Sequence, residues 1–484
     1  MTDDGQSPAS SPGHDPSRFR VGSLTYTKAG LVSMFLFLLW GDFCFTLMET
    51  VVPSVMPLKF NAIGAPNWVL GLILTTIPNL MNMVINPFIS FRSDRFRSRW
   101  GRRIPFLAGA TPFLVIFLIL LGYSEPISRW VQRSLLGGQG SELSVTLIVI
   151  GVFMVCFQFF NLFITSVYYY LFNDVVPQAF LARFMALFRM VGTCAGAIYN
   201  FFIFKYANTH MQEIFLYSGL LYLAAFAIMC WKVKEGDYPP PPPNLDNRSG
   251  AASTIKTYAV ECFTHRFYWY FFLANASYAM TWVSGAYGVL VATKIVGFDL
   301  AMFGTIGGIC GVVSLVLLYP AGIIADRLHP LRVLLFSTLV QVAMAPLSIL
   351  FLFSRASLQD GTAFWIFVGL CFIGVPIGTL QGACELPMFM KLLPQARYGQ
   401  FSSANALIRS CGLMVGGLAC GFFLDSVKVF HPSPDQCYRF VPIWNLLWLG
   451  SAAFFYYRLY REWQRLGGLH GYRPPEPGSA PADY

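Results

Sequence analysis

Asp42, Glu49, Arg189 and Arg409 are ionisable residues set inside long apolar runs. A charge at that depth in a spanning helix is costly and by default functional. Asp42 and Glu49 are seven residues apart, so two turns return them to one face, about 10 Å apart along the axis. An acid in a low-dielectric cavity can exchange protons near neutral pH. Both are candidates for proton coupling, and Asp42 also for substrate binding. The competing reading is a structural pair with an arginine on a neighbouring helix. Arginine offers five donors in a rigid fork, suited to sugar hydroxyls or a carboxylate. Arg189 and Arg409 are therefore candidate substrate ligands, and Asp42 with Arg189 would make a charge-balanced pair. Asn79, Asn82 and Asn86 share a helix face by their spacing of three and four. Such amides bind polar substrates or join helices, and Asn82 is the substrate candidate among them. Trp282 and Glu385 complete the set, the ring for an apolar sugar face and the carboxylate for hydroxyls. Asn161, Tyr168, Tyr169 and Tyr278 are weaker cavity candidates, and His265 reads as interfacial.

A second kind of chemistry sits in residues 92–105. Arg92, Arg95, Arg97, Arg99, Arg102 and Arg103 crowd a dozen positions between two apolar runs. A short arginine-rich loop between spanning helices marks the cytoplasmic side. Asp94 closes one helix and the arginines open the next, so these charges can clamp two helix ends and release them. Asp94, Arg95, Arg102 and Arg103 are the expected cytoplasmic gate; a plain orientation signal is the simpler alternative. A weaker copy at residues 322–332 adds Asp326 and Arg327. Residues 177–184 and 394–401 are also alike, 217 positions apart, so the chain reads as duplicated.

These residues need an apolar frame, and the composition supplies one. Of 484 residues, 56% are hydrophobic and 12% charged, against about 25% charged in soluble proteins. The whole chain is membrane-like. Its net charge of +10 calls for no nucleic acid, because 23 of the 33 Lys and Arg fall in the tails and loops of one face. Eleven scattered cysteines form no metal or disulfide pattern. No catalytic cluster or cofactor motif stands out, so neither enzyme activity, metal nor cofactor is expected.

Twelve helices are predicted, over residues 29–58, 68–91, from 105, 145–172, 183–204 and 213–231, then starting near 267, 300, 331, 361, 401 and 438. The expected fold is all-α and integral to the membrane. A disordered tail (1–28) precedes one six-helix bundle (29–231). A linker (232–264), stiffened by Pro239 to Pro243, leads to a second six-helix bundle (265–461) and a disordered tail (462–484). A polar, Gly-rich outer loop is expected at 123–144 and a short surface helix near 254–263. The expected protein is a multi-pass monomer of the plasma membrane, both termini cytoplasmic.

Ser93-Asp94-Arg95, with Ser98 to Arg103 and Pro105, resembles the loop between helices 2 and 3 of the glycoside–pentoside–hexuronide:cation symporters. Gly101 to Phe106 is most similar to sucrose carriers. Gly41-Asp42-Phe43 resembles a helix 1 segment whose aspartate binds sugar, and Phe188-Arg189-Met190 with Gly192 a helix 5 segment with a sugar-binding arginine. The duplicated build resembles the major facilitator fold, with its substrate site between the halves. The resemblance implies a sugar or glycoside carrier working by alternating access. Two helix 2 aspartates that bind sodium in the symporters are Asn82 and Asn86 here, so proton symport through Asp42 or Glu49 is expected in place of sodium. An uncoupled facilitator, a carrier of another polar or amphipathic solute, and a membrane sensor on a transporter scaffold remain as alternatives.

Overall fold

A computed structural model describes residues 19–237, 258–430 and 433–475. After a small hairpin pairing Arg20–Val21 with Leu24–Thr25, the described chain is helical. Helix α1 (Lys28–Ala62) starts where Thr27 Oγ1 accepts from Gly30 N–H. It has 35 residues, a length of roughly 52 Å at 1.5 Å per residue, more than an apolar bilayer core needs. Helix α2 runs through Asn67–Gly71, a π-helical segment Leu72–Thr76, and Ile77–Arg95. Then come α3 (Ile104–Gly122), α4 (Glu142–Val175), α5 (Gln178–Tyr206) and α6 (Met211–Lys232). The second set is α7 (Arg266–Val296), α8 (Leu300–Arg327), α9 (Pro330–Ser354), α10 (Asp360–Leu392), α11 (Tyr398–Lys428) and α12 (Val441–Arg465).

Among the described residues, eleven helices are long and apolar enough to cross a membrane. Helix α12 has the length, but Trp, Tyr and Asn dilute its apolarity. It packs along α7 and α9 as a member of the second bundle. In the first bundle α3 lies against α4 and α6, and α1 against α5 and α6. Phe45, Tyr168, Phe172 and Phe226 fill that core with edge-on and tilted ring contacts. Side chains such as Val316, Phe336 and Trp365 stay exposed, as lipid-facing positions do.

The expected loop at 123–144 is corrected in part. Ser124–Ser134 forms an amphipathic helix, held where Ser128 Oγ meets Thr146 Oγ1 of α4 at 2.9 Å. Residues 258–263 are helical, while the rest of the expected surface helix and Pro239 to Pro243 lie outside the described residues. The same holds for both expected tails up to residue 18 and from residue 476.

Two end faces matter below. The tail face carries the start of α1, the arginine block and the end of α12. The far face carries the α1–α2, α5–α6, α7–α8 and α11–α12 connections. π-Helical turns in α2, α5 (Tyr199–Ile203) and α7 (Val291–Val296) all lie toward the far face. Such turns cluster at functional sites because they re-aim side chains.

Candidate functional site: two bundle faces, a brace and a seal

Asp42 lies on the inner side of α1 with 1% of its surface exposed. Thr46 Oγ1 donates to its Oδ1 at 3.4 Å. Its Oδ2 is buried without a partner and faces Gly192 of α5, where an added Cβ would sit 3.8 Å away. Arg189, one turn before Gly192, is exposed and lines a cleft of about 460 Å³ with Thr193, Cys310, Ser314 and Gly382. The expected Asp42–Arg189 ion pair is not formed: no bridge joins the two. The cleft that Arg189 lines is shared with α8 and α10 of the other bundle. Glu49 is exposed, and Asn161 Nδ2 of α4 donates to its Oε1 at 3.4 Å.

Three expected ligands meet on the second bundle. Arg409 of α11 donates to Glu385 of α10 at 2.7 Å. Its guanidinium lies 4.6 Å from the centre of the Trp282 ring. Trp282 is half-exposed and packs edge-on against Tyr278. Arg409 thus has its charge balanced and its plane fixed, and its other donors carry no protein partner among the described residues. Asn82 stands apart from both groups. It lines a pocket of about 380 Å³ with Asn86, Tyr258, Ser403 and Ser410. Asn86 accepts from Ser166 at 2.8 Å, and Asn79 bonds back to Thr75 O, which makes these two interhelical and local contacts.

The described contacts of Arg102 and Arg103 all join parts of the first bundle. Arg102 donates to both oxygens of Asp174 at the end of α4, at 2.9 and 2.5 Å. Arg103 adds a third bond at 3.0 Å, donates to Ser93 Oγ at 2.6 Å, and lies over the Tyr170 ring. Glu235, just past α6, accepts from the backbone N–H of Arg102, Arg103 and Ile104 at 3.0, 2.8 and 2.7 Å. It caps the positive end of α3. Gly101 has φ +105° and no room for a Cβ against Glu235, so that turn requires glycine. The side chains of Asp94, Arg95 and Asp326 lie outside the described residues; Arg327 is exposed. Asp174 and Glu235 escaped the sequence reading because nothing local links them to Arg102, 72 and 133 positions away.

The bundles are sealed to one another at the far face. Asp425 of α11 accepts from Asn67 N–H, Asn67 Nδ2 and Trp68 N–H at 3.1, 2.9 and 2.9 Å. Tyr287 donates to Asn67 O at 3.0 Å and Tyr438 to Asn67 Oδ1 at 3.1 Å. Below them, Gly71 and Gly417 bring α2 and α11 into backbone contact, and a Cβ on Gly71 would collide with the Gly417 carbonyl. Thr76 donates to Met414 O at 2.6 Å. On the other side Gly304 and Gly308 of α8 press on Asn200 and Phe201 of α5. Further toward the tail face the described contacts thin to Cys411 and Met83, 3.9 Å apart, and the Asn82 and Arg189 clefts open.

Two histidines, His265 and His329, stand at helix starts near the tail face. His265 accepts Phe267 N–H at 3.1 Å and starts α7; burial and Arg266 push its titration down. Burial, Lys391 and Arg332 push His329 down to about 4.

Residues 38–417 match the Major Facilitator Superfamily. Among solved structures, the chain is similar to a bacterial homolog of the human lysosomal transporter Spinster, inward-facing and unoccupied. That match has 14% identity and a TM-score of 0.65, covering 91% of this chain and 99% of the other. A nucleoside transporter, NupG, gives 11% identity and a TM-score of 0.62, with 88% and 98% covered. A D-xylose-proton symporter gives 13% and 0.58, with 93% and 99% covered. At such identities these likenesses concern the fold. The sequence match extends over most of the chain, and the chain belongs to the Major Facilitator Superfamily.

Proposed function

We propose that this transporter carries a sugar or similar polyhydroxy solute with a proton, by alternating access between the bundles. The cluster of Trp282, Arg409 and Glu385 carries the reading. A half-exposed indole beside a charge-balanced guanidinium suits a ligand with an apolar face and several hydroxyls. Arg189 supplies donors from the first bundle, at a cleft shared with the second. Proton coupling finds support in Asp42, a buried carboxyl with one oxygen lacking a donor. Such a group needs either a proton or an incoming partner. Glu49, held by Asn161, is the second acid on the same helix.

In this reading the tail face is cytoplasmic, in the plasma membrane. The sealed far face makes this an inward-open state, the state named for the Spinster homolog. Asn82 and Asn86 offer neutral amides, which balance no cation charge and so favour a proton over sodium as the coupling ion. All these groups lie on one chain, so a monomer suffices.

Uptake into proteoliposomes tests the proposal with a panel of labelled mono- and disaccharides. Accumulation should follow an inward pH gradient and ignore sodium. Accumulation under a sodium gradient at clamped pH would refute proton coupling, and equilibration without accumulation would indicate a facilitator. No uptake of any sugar would remove the substrate class.

A further inference from the structure

We infer that Asp425 is the latch that holds the far face shut, and that it sets the balance between the two states of the transporter. The inference rests on the alternating-access reading. It starts from two anomalies in the sequence of each partner. Asp425 stands in the last turn of α11, which ends at Lys428. A carboxylate there faces the negative end of its own helix, where charge of that sign is disfavoured. Helix α2 has the opposite problem. Its first backbone N–H groups need acceptors, and the residue before it is Pro66, which makes no side-chain cap. Helices α1 and α8 solve the same problem locally, with Thr27 and Asp299.

Each anomaly resolves the other across the interface. Asp425 Oδ1 takes the N–H of Asn67 and Oδ2 that of Trp68, so α2 is capped by a residue 358 positions away. The carboxylate exchanges the wrong end of α11 for the positive end of α2. Asn67 Nδ2 adds a third bond, and Tyr287 and Tyr438 fix both oxygens of Asn67. Gly421 permits the approach, because a Cβ there would collide with Trp68. None of these groups belongs to the Trp282, Arg409 and Glu385 cluster. Opening the far face must break the cap and return Asp425 to its unfavourable helix end. The contact therefore favours closure, through differential bonding in the two states.

The seal contains its own reporter. Cys437 is 1% exposed, with Sγ 3.9 Å from Asn67 Nδ2. The test compares the full chain with Asp425→Asn in membranes, using a membrane-impermeant maleimide applied to the far side. Alkylation is read at each cysteine by peptide mass spectrometry. Cys384, fully buried in the second bundle, reports loss of fold. The Cys437 rate should rise on the order of tenfold, the effect of one lost charge-assisted bond, while Cys384 stays protected. An unchanged Cys437 rate overturns the latch. If Asp425→Asn exposes Cys384, Asn67→Asp decides in its place. That variant sets a second carboxylate against the first and should open the seal; protected Cys437 there also overturns the latch. The readout is conformational, so it separates two failures. Faster labelling without uptake of any sugar in the panel leaves the latch standing and removes the sugar–proton reading. Uptake with unaltered labelling does the reverse.

Discussion

Asp174→Asn distinguishes a fixed brace from a moving gate. Asp174 is 10% exposed at its side chain and takes three N–H bonds, one of them from Arg103, which is 4% exposed. The variant loses the charge and offers one amide oxygen to three donors. Breaking one side of a buried ion pair costs about 3–5 kcal/mol. Arg103 keeps Ser93 Oγ and the Tyr170 face, and Arg102, 20% exposed, can turn to water. The lower end, about 3 kcal/mol, is therefore expected. For a bundle of some 200 residues, this lowers the thermal midpoint by on the order of 6–12 °C. Purified wild type and variant would be unfolded by heat in one detergent, with Arg99→Gln as an exposed control expected to shift little. A midpoint within about 2 °C of wild type would refute the brace.

The remaining expectations concern the two bundle faces. Asp42→Asn should abolish accumulation under a pH gradient while exchange of internal for external solute persists; both are read in proteoliposomes, and retained accumulation would exclude Asp42 from coupling. Arg189→Lys keeps the charge but loses the planar fork, so half-saturation should rise several-fold at equal abundance, and an unchanged value would assign the residue to structure. Glu385→Gln breaks a pair whose members are about a quarter exposed, so stability should move by about 1 kcal/mol or less while uptake falls at least tenfold. Gly417→Ala crowds Thr76 and the Gly71 carbonyl, each 2.7 Å from the new methyl, so transport should slow as the far face loses its close packing; a normal rate would show that this contact can relax.

The helical frame was legible because apolar runs of spanning length leave a chain few other choices. The expected starts of α8, α9, α10 and α11 fall within about three residues of the observed ones, since His329-Pro330 and Pro394 punctuate them. The π-helical turns were not legible. Nothing in Leu72–Thr76 differs in composition from an ordinary apolar turn, and the turn acquires its role only against α11. The helix Ser124–Ser134 was misread for a different reason. Its apolar positions are few, and its polarity resembles that of a loop until Ser128 meets Thr146.

At the site, depth was legible and partnership was not. A charge set within an apolar run singled out Asp42, Arg189 and Arg409; of these the structure buries Asp42, while Arg409 is about a quarter exposed and Arg189 exposed. That signal could not say that Arg409 pairs with Glu385 while Asp42 and Arg189 stay apart. Helical periodicity fixes which face a residue occupies, but the helix it meets depends on packing between segments far apart in sequence. Some partnerships leave a local trace even so. A helix that begins after an uncapped proline, and another with an aspartate in its last turn, each carry an unmet electrostatic demand. Pro66-Asn67 and Asp425 are such a pair, and in this fold the two demands are met by each other. Unmet demands at helix ends are thus a sequence-level pointer to contacts between bundles, where apolar periodicity has nothing to add.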